Sequence, residues 1–513
     1  MGSYRYSKIT SCALYGISGV KVDIEVSIIP GLSSFEIVGL GDCAIKESRN
    51  RVHAAIRNNG FEFPNGRITV GMAPGFIRKE GTAFDLPVAI GILLASRQIR
   101  QPKEQICVIG EMSLDGEIRG VPGSISRIIT AKSEGVRRML IPYKNLPECE
   151  GIEGISIYGV KSLSETIDML RAAVPWPKQE MTAESIPADK PPFRDISTII
   201  GQPSGVRAIQ IAAAGRHNMM MIGSPGCGKT SLANVISGIL PDMDQEEKIE
   251  VTKIYSSCGL LKNGDTIIRE RPFRAPHHNA TIASITGGGH NPAPGEITLA
   301  HNGVLFLDEM NEFSPNIINM LRQPMEEHRI RLSRCKYSIE FPADFILIGA
   351  ANPCKCGYLL ERDNKYPCTC SKQSIDRYFS NINGPIMDRM DLYLELTKVN
   401  SQNLNDSIKV SSINNSIEIK RKVEEAWSIQ IKRCEKHKIT PCLNSRLPAA
   451  LMKTVFELND DVLKFAADAG EKLDLSVRGY QKMLRIARTI ADYDSEEILS
   501  TNHIAQAIQF RRK

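Results

Sequence analysis

The sequence contains no run of about 20 apolar residues, the length a membrane-spanning helix requires, so no segment is expected to cross a bilayer. Its first residues, Met1-Gly2-Ser3-Tyr4-Arg5-Tyr6-Ser7-Lys8, hold neither the apolar stretch nor the cleavage pattern of a secretory signal. Internal repeats are missing too, and no low-complexity tract occurs outside one proline-rich segment. Nor does one sign of charge dominate: 64 Lys and Arg face 58 Asp and Glu, a net +6. That balance permits a nucleic-acid partner without arguing for one, because useful phosphate contacts need clustered cations. The 13 cysteines are odd in number and scattered. With no secretion signal, they point to a reducing cytosol, and to thiols or a metal site rather than a disulfide framework.

What is present suits a multidomain soluble protein. The 513 residues are enough for about three domains, and 42% hydrophobic with 24% charged residues supports a sizeable core. Five prolines (Pro175, Pro177, Pro187, Pro191, Pro192) among polar residues mark a linker over 173–195. Before it, residues 1–172 alternate short β-rich stretches (Val20 to Ile29, Phe35 to Val38, Ile68 to Met72, Ile106 to Gly110) with helical ones, Ala44 to Asn58 and Leu86 to Ser96. That pattern predicts a mixed α/β domain. Residues 196–398 hold apolar strands followed by glycine turns and helices, which predicts a parallel sheet with crossovers. Residues 399–513 are helical by period. Tyr480, Met483, Leu484, Ala487, Ile490 and Ala491 share one face, and Ser476 stands where it would cap that helix.

The strand Met219-Met220-Met221-Ile222 leads into Gly223-Ser224-Pro225-Gly226-Cys227-Gly228-Lys229-Thr230, a full match to G-x-x-x-x-G-K-[ST], with Ser231 next. Leu232, Val235, Ile236, Ile239 and Leu240 then repeat at helical spacing until Pro241 stops them. Glycines let successive N–H groups curl around phosphate oxygens, and the helix N-terminus adds positive potential. Lys229 would reach the β- and γ-phosphates of ATP, and Thr230 would bind Mg²⁺.

A second apolar strand, Val304-Leu305-Phe306-Leu307, delivers Asp308 and Glu309. Paired acids at a strand end are usually only a solvated terminus. Beside a phosphate loop they fit a magnesium ligand, Asp308, and a general base, Glu309. A third strand, Phe345 to Ala351, ends at Asn352, an amide suited to sensing the γ-phosphate or to opening a turn before Pro353. Cys354, Cys356, Cys368 and Cys370 form C-x-C-x11-C-x-C. Four cysteines in so short a segment suggest structural Zn²⁺, although the spacing departs from the usual C-x2-C and free thiols are the alternative.

These motifs resemble the AAA+ ATPases, in which a phosphate loop, an acid pair and a sensor asparagine recur in this order. The resemblance narrows to the magnesium-chelatase-like clade on Phe273-Arg274-Ala275-Pro276-His277-His278, on Gly295-Glu296-Ile297-Thr298-Leu299-Ala300-His301-Asn302-Gly303 and on Asn352-Pro353-Cys354-Lys355-Cys356-Gly357. Gly384-Pro385-Ile386-Met387-Asp388-Arg389-Met390-Asp391 and Leu475-Ser476-Val477-Arg478-Gly479-Tyr480 extend it toward the ComM/YifB family, over nearly the whole chain. The likeness implies an α/β multidomain fold: a Lon-protease-like domain, a central AAA+ domain with a parallel sheet, and a C-terminal helical lid. It also implies that Arg389 is an arginine finger acting on a neighbouring subunit, that Arg478 is a sensor arginine on the lid, and that the active form is a hexameric ring.

In the Lon-like first domain the family's serine falls at Ala83, after Arg78-Lys79-Glu80-Gly81-Thr82, and its lysine at Ile125. A Ser–Lys dyad needs a hydroxyl and an amine in reach, so the domain is expected to be non-catalytic, with Ser124, Ser126 and Lys132 the remaining candidates for a displaced dyad. Between Arg271 and Gly295 the chain resembles the pore-facing insertion of chelatase and helicase relatives. A candidate hairpin, Arg329 to Phe341, carries Arg331, Arg334 and Lys336 near its tip, either to track a phosphate backbone or as ordinary exposed charge. The resulting expectation is a cytoplasmic ATP-driven motor on single-stranded or branched DNA, resembling a branch-migration helicase of natural transformation and homologous recombination. An ATP-dependent protease or unfoldase and a chelatase-like metal-insertion remodeller are the alternatives.

Overall fold

The computed structural model describes residues 5–39, 41–75, 79, 81–171, 176, 195–261, 266–289, 292–334, 337–361, 367–380, 382, 384, 386–398 and 415–511. Two compact units emerge. The first takes 1–186 together with 244–269 and 291–294, and the second takes 187–243, 270–290 and 295–513. Apart from Trp176 and Asp195, the 173–195 linker lies outside the described residues.

In the first unit, seven strands form one mixed sheet in the order Ser34–Val38, Arg67–Ala73, Ser18–Ile29, Arg5–Tyr15, Ile106–Val108, Arg138–Pro142, Ser156–Val160. The long Arg5–Tyr15 and Ser18–Ile29 strands pair antiparallel, and the three strands after Arg5–Tyr15 run parallel to it and to one another. Helix Asp85–Ala95 is buried at every residue and packs on those two long strands. Such a helix, apolar but for Asp85, which pairs with Arg51, has no solvent face to present. Residues 244–269, read from the sequence as part of the 196–398 segment, cluster here. Their helix Gln245–Ser257 starts in a capping box of Asp244 and Glu247 and packs on helix Ser124–Ser133, where Gly123 N–H donates to Ser256 O across 3.0 Å.

The second unit is built on a five-stranded sheet in the order Phe273–Arg274, Val304–Leu307, Ile346–Ala351, Met219–Gly223, Leu392–Leu396, every neighbouring pair parallel. The central strands are buried at every residue, as a parallel sheet covered on both faces requires. Because the strands run the same way, the phosphate loop, the acid pair and Asn352 all leave from the same edge, where open α/β sheets bind ligands.

The helices Ser416–Lys436, Asp460–Lys472, Val477–Tyr493 and Thr501–Gln509 share a core with this sheet, joining Val423, Met483, Ala487 and Ile490 to Met219, Ile236 and Ile348. Ser476 caps the Val477–Tyr493 helix, accepting from Gly479 N–H at 3.1 Å. Among the described residues no helix is long and apolar enough to cross a membrane. The fold class is therefore the one the sequence implies, α/β with a parallel-sheet core and a helical C-terminal region.

Candidate ATP site

The buried Met219–Gly223 strand turns at Ser224 to Gly228 into helix Lys229–Ile239. Gly226 and Gly228 take φ of 80° and 94°, a left-handed conformation that glycine adopts without a Cβ clash. Pro225 and Gly226 are exposed, while Cys227 is buried and its thiol is pushed up by that burial. Ser231 lies half-buried within the helix's first turn. The Ser224 hydroxyl is buried with no partner among the described residues. A buried orphan polar atom beside a helix N-terminus fits an anionic ligand, which supplies acceptors where the protein has none.

Two pairs then join the loop to the ends of the adjacent Ile346–Ala351 strand and of the Val304–Leu307 strand beyond it. The Lys229 ammonium donates to Gly223 O at 2.6 Å, to Ser224 O at 3.1 Å and to Asn352 Oδ1 at 3.1 Å. The Thr230 hydroxyl donates to Asp308 Oδ2 at 2.8 Å. One hydroxyl and one carboxylate in contact, both beside a phosphate loop, are the oxygen donors a hard cation such as Mg²⁺ takes. The residues therefore fit MgATP.

Glu309 sits in the left-handed region at φ 49°, ψ 47°. For a residue with a Cβ that conformation costs about 1–2 kcal/mol, and such outliers gather at functional sites. The Glu309 carboxylate stays half exposed and lies 3.5 Å from His278 Nδ1. Sequence reasoning gave His278 no role, although it belongs to one of the quoted family signatures.

The two candidate arginines, both in the same unit, share one partner. Arg389 Nη2 lies 2.6 Å, and Arg478 Nη1 3.9 Å, from the same Glu326 oxygen. Glu326 carries no motif that would have flagged it.

Models of three chelatase segments match this chain: subunit ChlI of Mg-chelatase over 24–145, magnesium chelatase subunit ChlI over 195–404, and the ChlI C-terminal part over 414–511. The YifB protein of Salmonella typhimurium is 38% identical over 506 residues, covering 97% of this chain and 96% of its own. Competence protein ComM of Haemophilus influenzae is 37% identical over 511 residues, 98% and 97% of the two chains. The chain belongs to the ComM/YifB family. Lon protease 2 of Bacillus subtilis is 25% identical over 240 residues, 39% of this chain and 42% of its own. As a magnesium-chelatase-like AAA+ member, this ComM/YifB protein is of an ATPase type that uses ATP with Mg²⁺, and such proteins assemble into oligomers.

Elsewhere in the ComM/YifB chain, the four cysteines come together. Cys354, Cys356, Cys368 and Cys370 place their sulfurs within 4.8 Å of one another. The next helix, Lys372–Phe379, carries Tyr378; burial, with Glu312 and Glu309 nearby, pushes its hydroxyl up to about 12. No sequence signal marks Tyr378.

In the first unit of this family member, Ala83 and Ile125 are buried. The Ser124 hydroxyl donates to Val121 O at 3.1 Å and that of Ser126 to Ile17 O at 2.7 Å, while Lys132 is exposed. Both serines thus spend their donors on backbone carbonyls. Arg78 and Glu80 lie outside the described residues. The predicted hairpin forms from Arg329–Arg334 and Tyr337–Pro342, antiparallel. Arg331 reaches Glu340 at 3.1 Å and Glu327 at 3.8 Å, so it is ion-paired; the side chains of Arg334 and Lys336 lie outside the described residues.

Proposed function

We propose that this chain is an ATP-hydrolysing motor on single-stranded or branched DNA, working in the cytoplasm as a homo-oligomeric ring, a hexamer by family likeness. The process would be branch migration during DNA uptake and homologous recombination, the reading supported by similarity to a competence protein. The observation that carries the ATPase half is the pair of contacts across the sheet edge, Thr230 to Asp308 and Lys229 to Asn352.

Lys229 would meet the β- and γ-phosphates, with the N–H groups of Ser224 to Thr230 around them. Thr230 and Asp308 would hold Mg²⁺, which supplies charge neutralisation between those phosphates. Glu309 would take a proton from the attacking water, and Asn352 would orient that water. Arg389 from a neighbouring subunit would meet charge developing on the γ-phosphate, while Arg478 would report nucleotide to the helical lid.

ATP hydrolysis measured with and without single-stranded, duplex and four-way-junction DNA tests this reading. Stimulation by DNA, strongest with the branched substrate, is expected. A rate indifferent to every DNA would overturn the motor on DNA and leave an ATPase with another client.

A further inference from the structure

The four-thiol cluster has a geometry that a metal explains and disulfides do not. Its sulfurs stand 3.2 Å apart between Cys354 and Cys356, and 3.6 Å apart from each of these to Cys368. A tetrahedral site with Zn–S bonds of about 2.3 Å has sulfur–sulfur edges of about 3.8 Å. A disulfide would instead draw one pair to about 2.0 Å, and all four cysteines are free. An iron–sulfur cube places its own core between the thiolates and would spread them wider.

The cluster also closes a loop that leaves the ATP site and returns to it. Asn352, bonded to Lys229, stands two residues before Cys354, whose side chain is buried. Gly357 N–H donates to Cys354 O at 2.9 Å, and this turn lies on the phosphate loop. A Cβ at Gly357, whose φ is 85°, would fall 2.7 Å from Pro225 Cδ. Beyond Cys370, Ser371 caps the Lys372–Phe379 helix that carries Tyr378. The Tyr378 carbonyl accepts from Asn311 Nδ2 at 3.1 Å, two residues past Glu309.

We propose that Cys354, Cys356, Cys368 and Cys370 bind one Zn²⁺, and that the metal positions Asn352 against the phosphate loop. Binding releases the four thiol protons to water and leaves four thiolates on the ion. The positioning half rests on the ATP-site reading; the metal site does not.

Metal analysis of the purified full-length chain should find one zinc per chain. After replacement by Co²⁺, the protein should show thiolate-to-cobalt charge-transfer and tetrahedral d–d bands. Cys368→Ser and Cys370→Ser, at partly exposed positions, should lose the metal and weaken MgATP binding and turnover about tenfold; Cys258→Ser, outside the cluster, should do neither. Stripping the wild-type protein, dialysing it and restoring Zn²⁺ alone should return turnover, a rescue that misfolding would not give.

A wild-type chain without stoichiometric zinc, and without the thiolate spectrum on Co²⁺ loading, overturns the metal site. Metal loss with unchanged MgATP affinity and turnover overturns the positioning role. A chain that holds zinc but neither binds nor hydrolyses ATP overturns the ATP reading and the positioning role with it, while the metal site stands.

Discussion

Arg389 is held by Glu326 of its own chain, Nη2 to Oε1 at 2.6 Å. Only 15% of the Arg389 side chain is exposed, against 48% for Glu326. An arginine that serves a neighbour's γ-phosphate must leave or share this partner. A pair with one half-exposed member is worth at most about 1 kcal/mol, or about fivefold in an equilibrium. Glu326→Gln is therefore expected to raise ATP turnover of the assembled protein about two- to fivefold, read as steady-state phosphate release. Arg389→Ala should lower it by about three orders of magnitude, the scale of a lost arginine finger. Mixing Arg389→Ala chains with Lys229→Ala chains should recover part of the activity, because each lacks what the other holds. If the mixture stays as inactive as its components, Arg389 does not act across subunits.

Binding and hydrolysis should separate at the acid pair. Lys229→Ala removes the ammonium beside Gly223 O and Asn352, and nucleotide binding should go with it. Glu309→Gln keeps the shape and the hydrogen-bonding amide but removes the base. Bound ATP should persist while turnover falls about 10²- to 10⁴-fold, the usual contribution of a general base. Retained radiolabelled ATP on a filter, alongside phosphate release, separates the two. Normal hydrolysis by Glu309→Gln would remove this residue from the mechanism.

The hairpin carries its own counterion. Arg329 Nη1 and Arg331 Nε approach Glu340 at 2.8 and 3.1 Å, and all three side chains are about half exposed. DNA phosphates would have to compete with that carboxylate. Glu340→Gln should thus tighten DNA binding and steepen its salt dependence by about 0.7–0.9 for each additional phosphate neutralised. Replacing Arg331, Arg334 and Lys336 by Ala should weaken binding and flatten the same plot. Fluorescence anisotropy across a salt series gives both slopes. Two unchanged slopes would reduce the hairpin to scaffold.

Elements whose chemistry is local were legible in the sequence. The phosphate loop, the apolar strands before Asp308 and Asn352, and the Ser476 cap follow from short patterns of glycine, apolar runs and capping oxygen. Strand Arg5–Tyr15 was not picked out because its interior carries serine and threonine. Those positions are buried through hydrogen bonds, Ser7 Oγ to Gly91 O at 2.7 Å and Ser11 Oγ to Val108 O at 2.8 Å, whose acceptors lie far along the chain. The same reason hides Glu326, His278 and Tyr378. Each matters through a partner remote in sequence, which no periodicity encodes. The clustering of 244–269 with the first unit is likewise set by a capping box and a helix face meeting a remote helix.

The link between the helical region and the AAA+ sheet should respond to pH. Arg446 donates to the ring of His328, and Arg216 and Arg446 flank Asp344 at 3.4 and 2.5 Å. Burial, with the Arg446 and Arg216 charges, lowers His328 to about 4. Burial alone would raise Asp344, but the two arginines outweigh it and hold this carboxyl down to about 2. An unfolded histidine titrates near 6.5 and an aspartate near 3.9. The folded ring stays neutral where the unfolded one protonates, so the His328 contribution is complete above about 6.5 and is lost as pH falls toward 4. The Asp344 contribution is complete above about 3.9 and is lost toward pH 2. Urea midpoints taken from pH 7.5 down should therefore begin to fall near 6.5. In His328→Asn, whose asparagine tolerates the left-handed φ of 56° at this helix end, the curve should stay flatter until the carboxylate window opens. A variant with the wild-type slope between pH 6.5 and 4 would show that this ring is not the group protonated on unfolding.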